Sequence, residues 1–287
     1  MESSLYRSIL VPVDGSASAR VALDLALRLV APDGEVVVAH VIDRATIAAE
    51  CVTPYGGDPM PILTALDEDE RTFLTEASAQ AERAKVRCTT VSSDGEPAAQ
   101  IAAIARERHV DAIAMGTHGR RGLARVVLGN TAAAVLHQTD LPVFVVHEQS
   151  AAAAAKPFGH ILVALDPSAG ARGAARQAVD IAAHDGGSVF FAHAAEPDDG
   201  DAERQALRVA KQNANARGVA CDAATLQADP VDAILIAAET AHADLIAIGA
   251  QRGSMGIFRM GSVAEAIVRT SPVPVLVVPA TAVTAAR

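Results

Sequence analysis

The chain carries the same sequence pattern twice. RSILVPVDGSASARVALDLALRLV, from Arg7, aligns with GHILVALDPSAGARGAARQAVDIA, from Gly159, and sets Asp14 on Asp166. EVVVAHVID, from Glu35, aligns with SVFFAHAAE, from Ser188, and sets His40 on His193. DAIAMGTHGRRGLARVVLGNTAAAVLHQTDLPVFVV, from Asp111, aligns with DLIAIGAQRGSMGIFRMGSVAEAIVRTSPVPVLVV, from Asp244. Units of this length are too long for a solenoid, and each has the apolar material for its own core. The duplication predicts two domains, residues 1–150 and 157–287, with AAAAAKP at 151–157 as the link. The first copy is longer by about twenty residues within positions 44–69, where Pro54, Gly56, Gly57, Pro59 and Pro61 interrupt regular structure; a surface excursion is expected there, either a lid or a tolerated insertion.

Within each copy short apolar runs alternate with helical patterns. SILVPV, VVVAHV, KVRCTTV, AIAM and VFVV lack the strict alternation of a sheet wet on one face, and so read as strands buried on both sides. ARVALDLALRLV and PAAQIAAIARERH place apolar residues at three- and four-residue spacing, the mark of amphipathic helices. Strand and helix in alternation give an α/β fold of two doubly wound, Rossmann-like domains with parallel sheets.

Such sheets bind ligands beyond the carboxyl ends of their strands, where strand order reverses. The first strand ends in Val11-Pro12-Val13-Asp14-Gly15, the second in His40-Val41-Ile42-Asp43, and the fourth runs through Met115 into GTHGRRGLARVVLGN. Bare backbone at Gly116, Gly119 and Gly129 lets a ligand approach closely, and the helix expected near Asn130 offers unpaired N–H groups to an anion. A polyphosphate meets those requirements, with His118, Arg120, Arg121 and Arg125 as further positive charge and Asp14 facing a base or ribose. Neither GxxxxGK[ST] nor GxGxxG after the first strand occurs, so both common nucleotide fingerprints are missing.

The pattern G-x-x-G, nine residues, then Gly and a polar residue, with PVDGS, HVID and the terminal LPVFVV and VPVLVV, resembles the universal stress protein family in its tandem form. The resemblance covers nearly all of both copies. It implies five parallel strands per domain and ATP, with or without magnesium, as ligand. Pro12, Val13, Asp14 and Val41 would then lie near the adenine, and Met115 and Gly116 near the ribose. His118, Gly119, Arg120, Gly129, Asn130 and Thr131 would meet the phosphates. The second-copy equivalents are Leu165, Asp166, Ala194, Gly249, Arg252, Gly253, Gly261, Ser262 and Val263. The resemblance also implies that last strands pair, here within one molecule as a pseudo-dimer, with homodimerisation a further option.

The copies depart from the family pattern differently. Asn130 replaces the usual Ser or Thr, and its amide donates as well as accepts. In the second copy the glycine loop is one residue shorter, Gln251 or Arg252 stands at the second glycine, and Pro167, which has no N–H, follows Asp166. The first copy is therefore the one expected to hold nucleotide. Ligand-free readings stand beside these: Ser262 to Glu265 fits a capping box, Asn130 and Thr131 suit an N-cap, and Asp14 and Asp166 suit turns. His40 and His193 read as packed histidines, and Glu68-Asp69-Glu70 as a solvated helix face.

Charge and composition narrow the function classes. A net charge of −10 argues against a broad nucleic-acid face. Cys51, Cys88 and Cys221 have no metal or redox spacing. No apolar run reaches the about 18 residues of a membrane span, and MESSLYRSILVPVDG has no leader pattern, so a cytoplasmic protein is expected. With no general base beside a metal-binding constellation, no residue is assigned a catalytic or metal-ligating role, and any hydrolysis should be slow. The expected function is an ATP-binding stress-response regulator whose conformation or assembly depends on nucleotide. The alternatives are a nucleotide-free scaffold or an ATP-using nucleotidyl transferase, whose SGGxDS or HxGH motifs are missing.

Overall fold

The computed structural model describes residues 6–51, 58–117, 128–195, 200–252 and 258–280. The N-terminal half runs β1 (Tyr6–Pro12), α1 (Ala17–Leu29), β2 (Val30–Ile42), α2 (Arg44–Cys51), α3 (Met60–Ala84), β3 (Arg87–Asp94), α4 (Pro97–Glu107), β4 (Ala112–Gly116), α5 (Asn130–Gln138) and β5 (Val143–Val146). After α6 (Ala151–Ala154) the C-terminal half follows the same order with one helix in place of α2 and α3 and with an added short strand. It runs β6 (His160–Ala164), α7 (Ala169–Asp185), β7 (Ser188–Ala194), α8 (Asp201–Ala216), β8 (Ala220–Leu226), α9 (Pro230–Thr240), β9 (Leu245–Arg252), β10 (Phe258–Arg259), α10 (Ser262–Thr270) and β11 (Val275–Pro279).

Ten strands lie in one sheet in the order β3-β2-β1-β4-β5-β11-β9-β6-β7-β8, and β10 pairs with β9 off that path. Neighbours on the path are parallel except at the centre, where β5 and β11 pair antiparallel with Phe144 opposite Leu276. The predicted meeting of the last strands is therefore present inside one chain. It hides two short apolar strands that would otherwise be open edges. It also reverses direction at the seam, so the carboxyl ends of the two sets of parallel strands lie on opposite edges of the sheet.

Two apolar layers sandwich the sheet. Helices α1, α3, α7 and α8 cover one face, with Leu25, Leu29, Ile181 and Phe191 among the fully buried side chains. Helices α4, α5, α9 and α10 cover the other, burying Ile101, Val135, Ile234 and Ile267. The central strands are buried on both faces as expected. The outer strands are not: β3 and β8 alternate exposed and half-buried residues because each has a neighbour on one side only.

Three further expectations gain detail. Residues 151–154 of the anticipated link form a short helix with Ala154 fully buried. Arg28 holds this link: its Nε donates to the Ala154 carbonyl at 3.2 Å and its Nη1 to Asp185 at 2.8 Å, and the guanidinium lies 4.3 Å from the Phe158 ring centroid. The excursion at 44–69 is largely helical, since α2 and the first turns of α3 flank its glycines and prolines, of which residues 52–57 lie outside the described part. Its surface character holds at Met60 and Ile62, both exposed. The acidic run is only partly a solvated face, because Arg44 Nη2 binds Glu70 at 3.2 Å as well as Asp67 at 2.7 Å.

Candidate functional site

Strand order reverses between β1 and β4 in one half and between β6 and β9 in the other, and each reversal opens a cavity at the carboxyl ends. The N-terminal cavity, about 300 Å³, is lined by Pro12, Val13, Asp14, Val41, Met115, Gly116, Gly129, Asn130 and Thr131. Every described residue of the predicted first site thus faces one cleft. His118, Gly119 and Arg120, like Arg121 and Arg125, lie outside the described residues. The C-terminal cavity is larger, about 990 Å³, and is lined by Leu165, Asp166, Ala194, Gly249, Gly261, Ser262 and Val263. Arg252 ends β9, where it pairs with Phe258 of β10, and Gly253 lies outside the described residues. β10 lies antiparallel to the end of β9, with Phe258 opposite Arg252 and Arg259 opposite Gln251.

The walls are built the same way in both halves. After β1 the Asp14 Oδ1 accepts from the Ser16 N–H at 3.0 Å, and Ser16 Oγ accepts from the Ala19 N–H at 3.2 Å, capping α1. After β6 the Asp166 Oδ1 accepts from Ser168 at 2.7 Å and Ser168 Oγ caps α7 through Ala171 at 3.1 Å. One carboxylate oxygen of each aspartate is therefore engaged in a turn, and Pro167 does not prevent it. The two histidines are structural, as their matched positions suggested. His40 Nδ1 lies 2.6 Å from the Val13 carbonyl and His193 Nδ1 lies 2.9 Å from the Leu165 carbonyl, so each ties the end of the first strand to the second. Asp43 caps α2 instead of lining the cleft: its two oxygens accept from the Thr46 N–H at 2.9 Å and hydroxyl at 2.7 Å, which holds its carboxyl below the usual range.

The glycines divide by cause. A Cβ on Gly116 would lie 2.3 Å from Ser18 Oγ, and one on Gly249 would lie 2.2 Å from the Ala171 nitrogen. These two are bare because the start of α1 or α7 crosses the strand end, a packing reason that the sequence did not reveal. Gly261 is different: its φ of −64° suits any residue, and nothing lies within 4 Å of where its Cβ would be. Neither backbone geometry nor crowding calls for glycine there.

The capping expectation at the last helices fails. Gly129 is the N-cap of α5 and Gly261 that of α10, and neither receives a side-chain cap. Asn130 and Ser262 each sit one position inside the helix, so the Ser262 capping box does not form. The first-turn N–H groups are thereby left facing the cleft, where the partial positive charge of a helix start favours an anion.

The lining includes residues that were not anticipated. Pro97 and Ile101 on α4, and Pro230 and Ile234 on α9, give each cleft an apolar wall at matching positions. A proline opening the helix after the third strand in both copies was the available signal. Thr117, fully buried beside Gly116, was also passed over. Among the described residues no group of three or more His, Cys, Asp or Glu could hold a metal ion, and no helix is long and apolar enough to cross a membrane.

Comparisons with known proteins agree with this architecture. The model of the universal stress protein family matches residues 5–147 and again 157–279. Universal stress protein MJ0531 of Methanocaldococcus jannaschii is 32% identical over 152 residues, which is 50% of this chain and 83% of that protein. Universal stress protein YxiE of Bacillus subtilis is 27% identical over 147 residues, 50% of this chain and 99% of its own length. The crystal structure of a universal stress protein from Archaeoglobus fulgidus superposes with a TM-score of 0.76 over 96% of this chain and 98% of that one, at 24% identity, a likeness of fold. With two matching regions that span nearly its whole length and join into one sheet, the chain belongs to the universal stress protein family and carries two such domains in tandem.

Proposed function

We propose that this protein binds ATP in the N-terminal cleft and acts as a regulator whose conformation or assembly follows nucleotide occupancy. The observation that carries the reading is the convergence on one cavity of Asp14, Val41, Met115, Gly116 and the uncapped start of α5. Val13, Val41, Ile101 and Met115 offer an apolar slot for a base. Asp14 offers a carboxylate oxygen to a hydroxyl or amine. Asn130 and Thr131 present helix N–H groups and side-chain donors to phosphates. The group fits the residues present, because the helix start is open and carries no side-chain cap. Magnesium, if present, would arrive with the phosphates. Hydrolysis is slow in this reading, since one oxygen of the cleft's carboxylate is already held in a turn.

The C-terminal cleft enters the proposal on more equal terms than its sequence suggested. It retains the aspartate turn and the uncapped helix start, and Gly261 keeps the approach to that helix clear. Mass spectrometry of small molecules released from the denatured purified protein tests the reading. One or two equivalents of adenine nucleotide per chain, or a thermal shift with Mg-ATP, are the expected results. Neither retention nor shift would leave a paired-domain scaffold as the function.

A further inference from the structure

Because β5 and β11 run antiparallel, the helix preceding each lies across the sheet from one carboxyl edge to the other. α10 starts at Ser262, on the C-terminal cleft, and is nine residues long, so it extends about 13 Å. Its last turn arrives beside the neck of the N-terminal cleft. There the carbonyl of Val268 has lost its ordinary helical donor, because the residue four positions on is Pro272, which has no N–H. His147 of the other half supplies one: its Nε2 lies 2.9 Å from that carbonyl. Nδ1 of the same ring lies 3.0 Å from the Thr117 hydroxyl, which donates to it when Nε2 carries the ring proton.

Thr117 is no bystander to the first cleft. Its carbonyl accepts from the Gly129 N–H at 2.7 Å, which joins the two ends of the glycine loop, and its own N–H donates to the Val146 carbonyl at 2.9 Å. His147 is itself immobilised, since its N–H donates to Ser150 Oγ at 3.1 Å and its carbonyl accepts from that hydroxyl at 2.7 Å. A continuous buried chain therefore runs from the Gly129 N-cap through Thr117 and His147 into the helix whose first turn forms the other cleft. The matching route in the opposite direction is missing, because Ala250 stands at the place of Thr117 and Pro279 at that of His147.

We infer that His147 is a positioning residue that couples the two clefts, using α10 as a rigid strut, so that a ligand in one changes the affinity of the other. The inference rests on the reading that both clefts take nucleotide. A shift of the Thr117–Gly129 neck on filling the first cleft is carried by His147 to the end of α10, and so to the N–H groups at its start. By linkage the effect is the same in either direction, although only one physical connection carries it.

Two measurements test this, and the first uses no ligand. Hydrogen exchange of the α10 amides is compared in wild type, Thr117→Val, His147→Phe and the double variant. Thr117→Val is expected to speed exchange at α10 by about threefold or more in the wild-type background and to add nothing in the His147→Phe background. His147→Leu stands in if the Phe variant does not fold, whereas His147→Gln, whose amide can still donate to the Val268 carbonyl, should keep α10 close to wild-type protection. No response of α10 to Thr117→Val overturns the inference. The second measurement is calorimetry with Mg-ATP. Val41→Trp fills the first cleft and Ala194→Trp the second, so each variant reports the other site alone. The product of the two single-site dissociation constants should differ from that of the wild-type two-site isotherm by about fivefold or more, and the difference should vanish with His147→Phe. Equal products in wild type overturn the coupling. If no site binds Mg-ATP the proposed function fails, while the exchange experiment still decides whether the clefts are connected.

Discussion

The two halves build their strand ends alike and differ in the excursion after the second strand, in the glycine loop and where they meet each other. Both end the first strand in an Asp-x-Ser turn, tie it with a histidine and start the last helix at an uncapped glycine. They differ in the sequence of the glycine loop, in the short β9–β10 pairing of the C-terminal half, and in the residues that reach across the seam. Arg28 sits on α1 where the aligned residue of α7 is Asp180. Arg28 crosses to bind Asp185 of the other half, whereas Asp180 binds Arg217 within its own half. A duplicated fold can therefore keep its internal framework symmetric while its junction becomes one-sided, because only the junction residues lack a matching environment.

The largest effect should come from that junction. Arg28→Ala leaves Asp185, only 3% exposed, with the Phe158 N–H and His184 but without its guanidinium, and removes the stacking on Phe158, so a loss of about 2 to 3 kcal/mol in urea unfolding is expected. Asp180→Ala, at a bridge where Arg217 is half exposed, should cost under about 1 kcal/mol. Equal losses would show that Arg28 is not a special cross-half contact. Next come the crossing points. Gly249→Ala drives a Cβ against main chain and should cost about 2 to 3 kcal/mol. Gly116→Ala meets the Ser18 hydroxyl, which can turn, but also Ser18 Cβ at 2.7 Å and its main-chain carbon at 2.9 Å, a shallower main-chain clash than at Gly249, and should cost about 1 kcal/mol less. The reverse order in thermal or urea unfolding would refute that account of the two glycines.

Smaller again are the helix caps, where the halves should behave alike: Ser16→Ala and Ser168→Ala are each expected to lose about 1 kcal/mol, and a gap well beyond that would break the symmetry. The smallest effect belongs to the first half alone. Asp43 has a depressed pKa in the folded chain, so its cap on α2 is fully present above the ordinary carboxylate range and is lost as pH falls through the lowered folded value. Amide exchange at Thr46 and Ile47 should therefore quicken, relative to intrinsic rates, only at acid pH. Asp43→Asn should remove that dependence.

Much of the molecule was legible because its signals were periodic and repeated. Buried runs such as AIAM and VFVV gave the central strands, and matched positions marked the strand ends that build each cleft. What escaped were contacts between residues far apart in sequence. The bareness of Gly116 looked like room for a ligand, yet Ser18 of a crossing helix already demands it. Capping propensity placed Asn130 and Ser262 at helix starts, but the chain turns one residue earlier, at Gly129 and Gly261, and propensity does not register such a shift. The loop sequence made the second half look degraded, whereas its cavity is the larger of the two, lined also by residues of α7 and α9 far from the loop motif. His147 follows a strand and gave no sign of reaching Val268 in the other half.

The reversed seam between β5 and β11 has an outcome for anything that reads this protein from outside. Side-by-side copies with strands all pointing one way would show both openings to a single visitor. Here the mouths look out from opposite rims, so a partner docked over one leaves the other accessible, and a single chain can be approached from two sides at once.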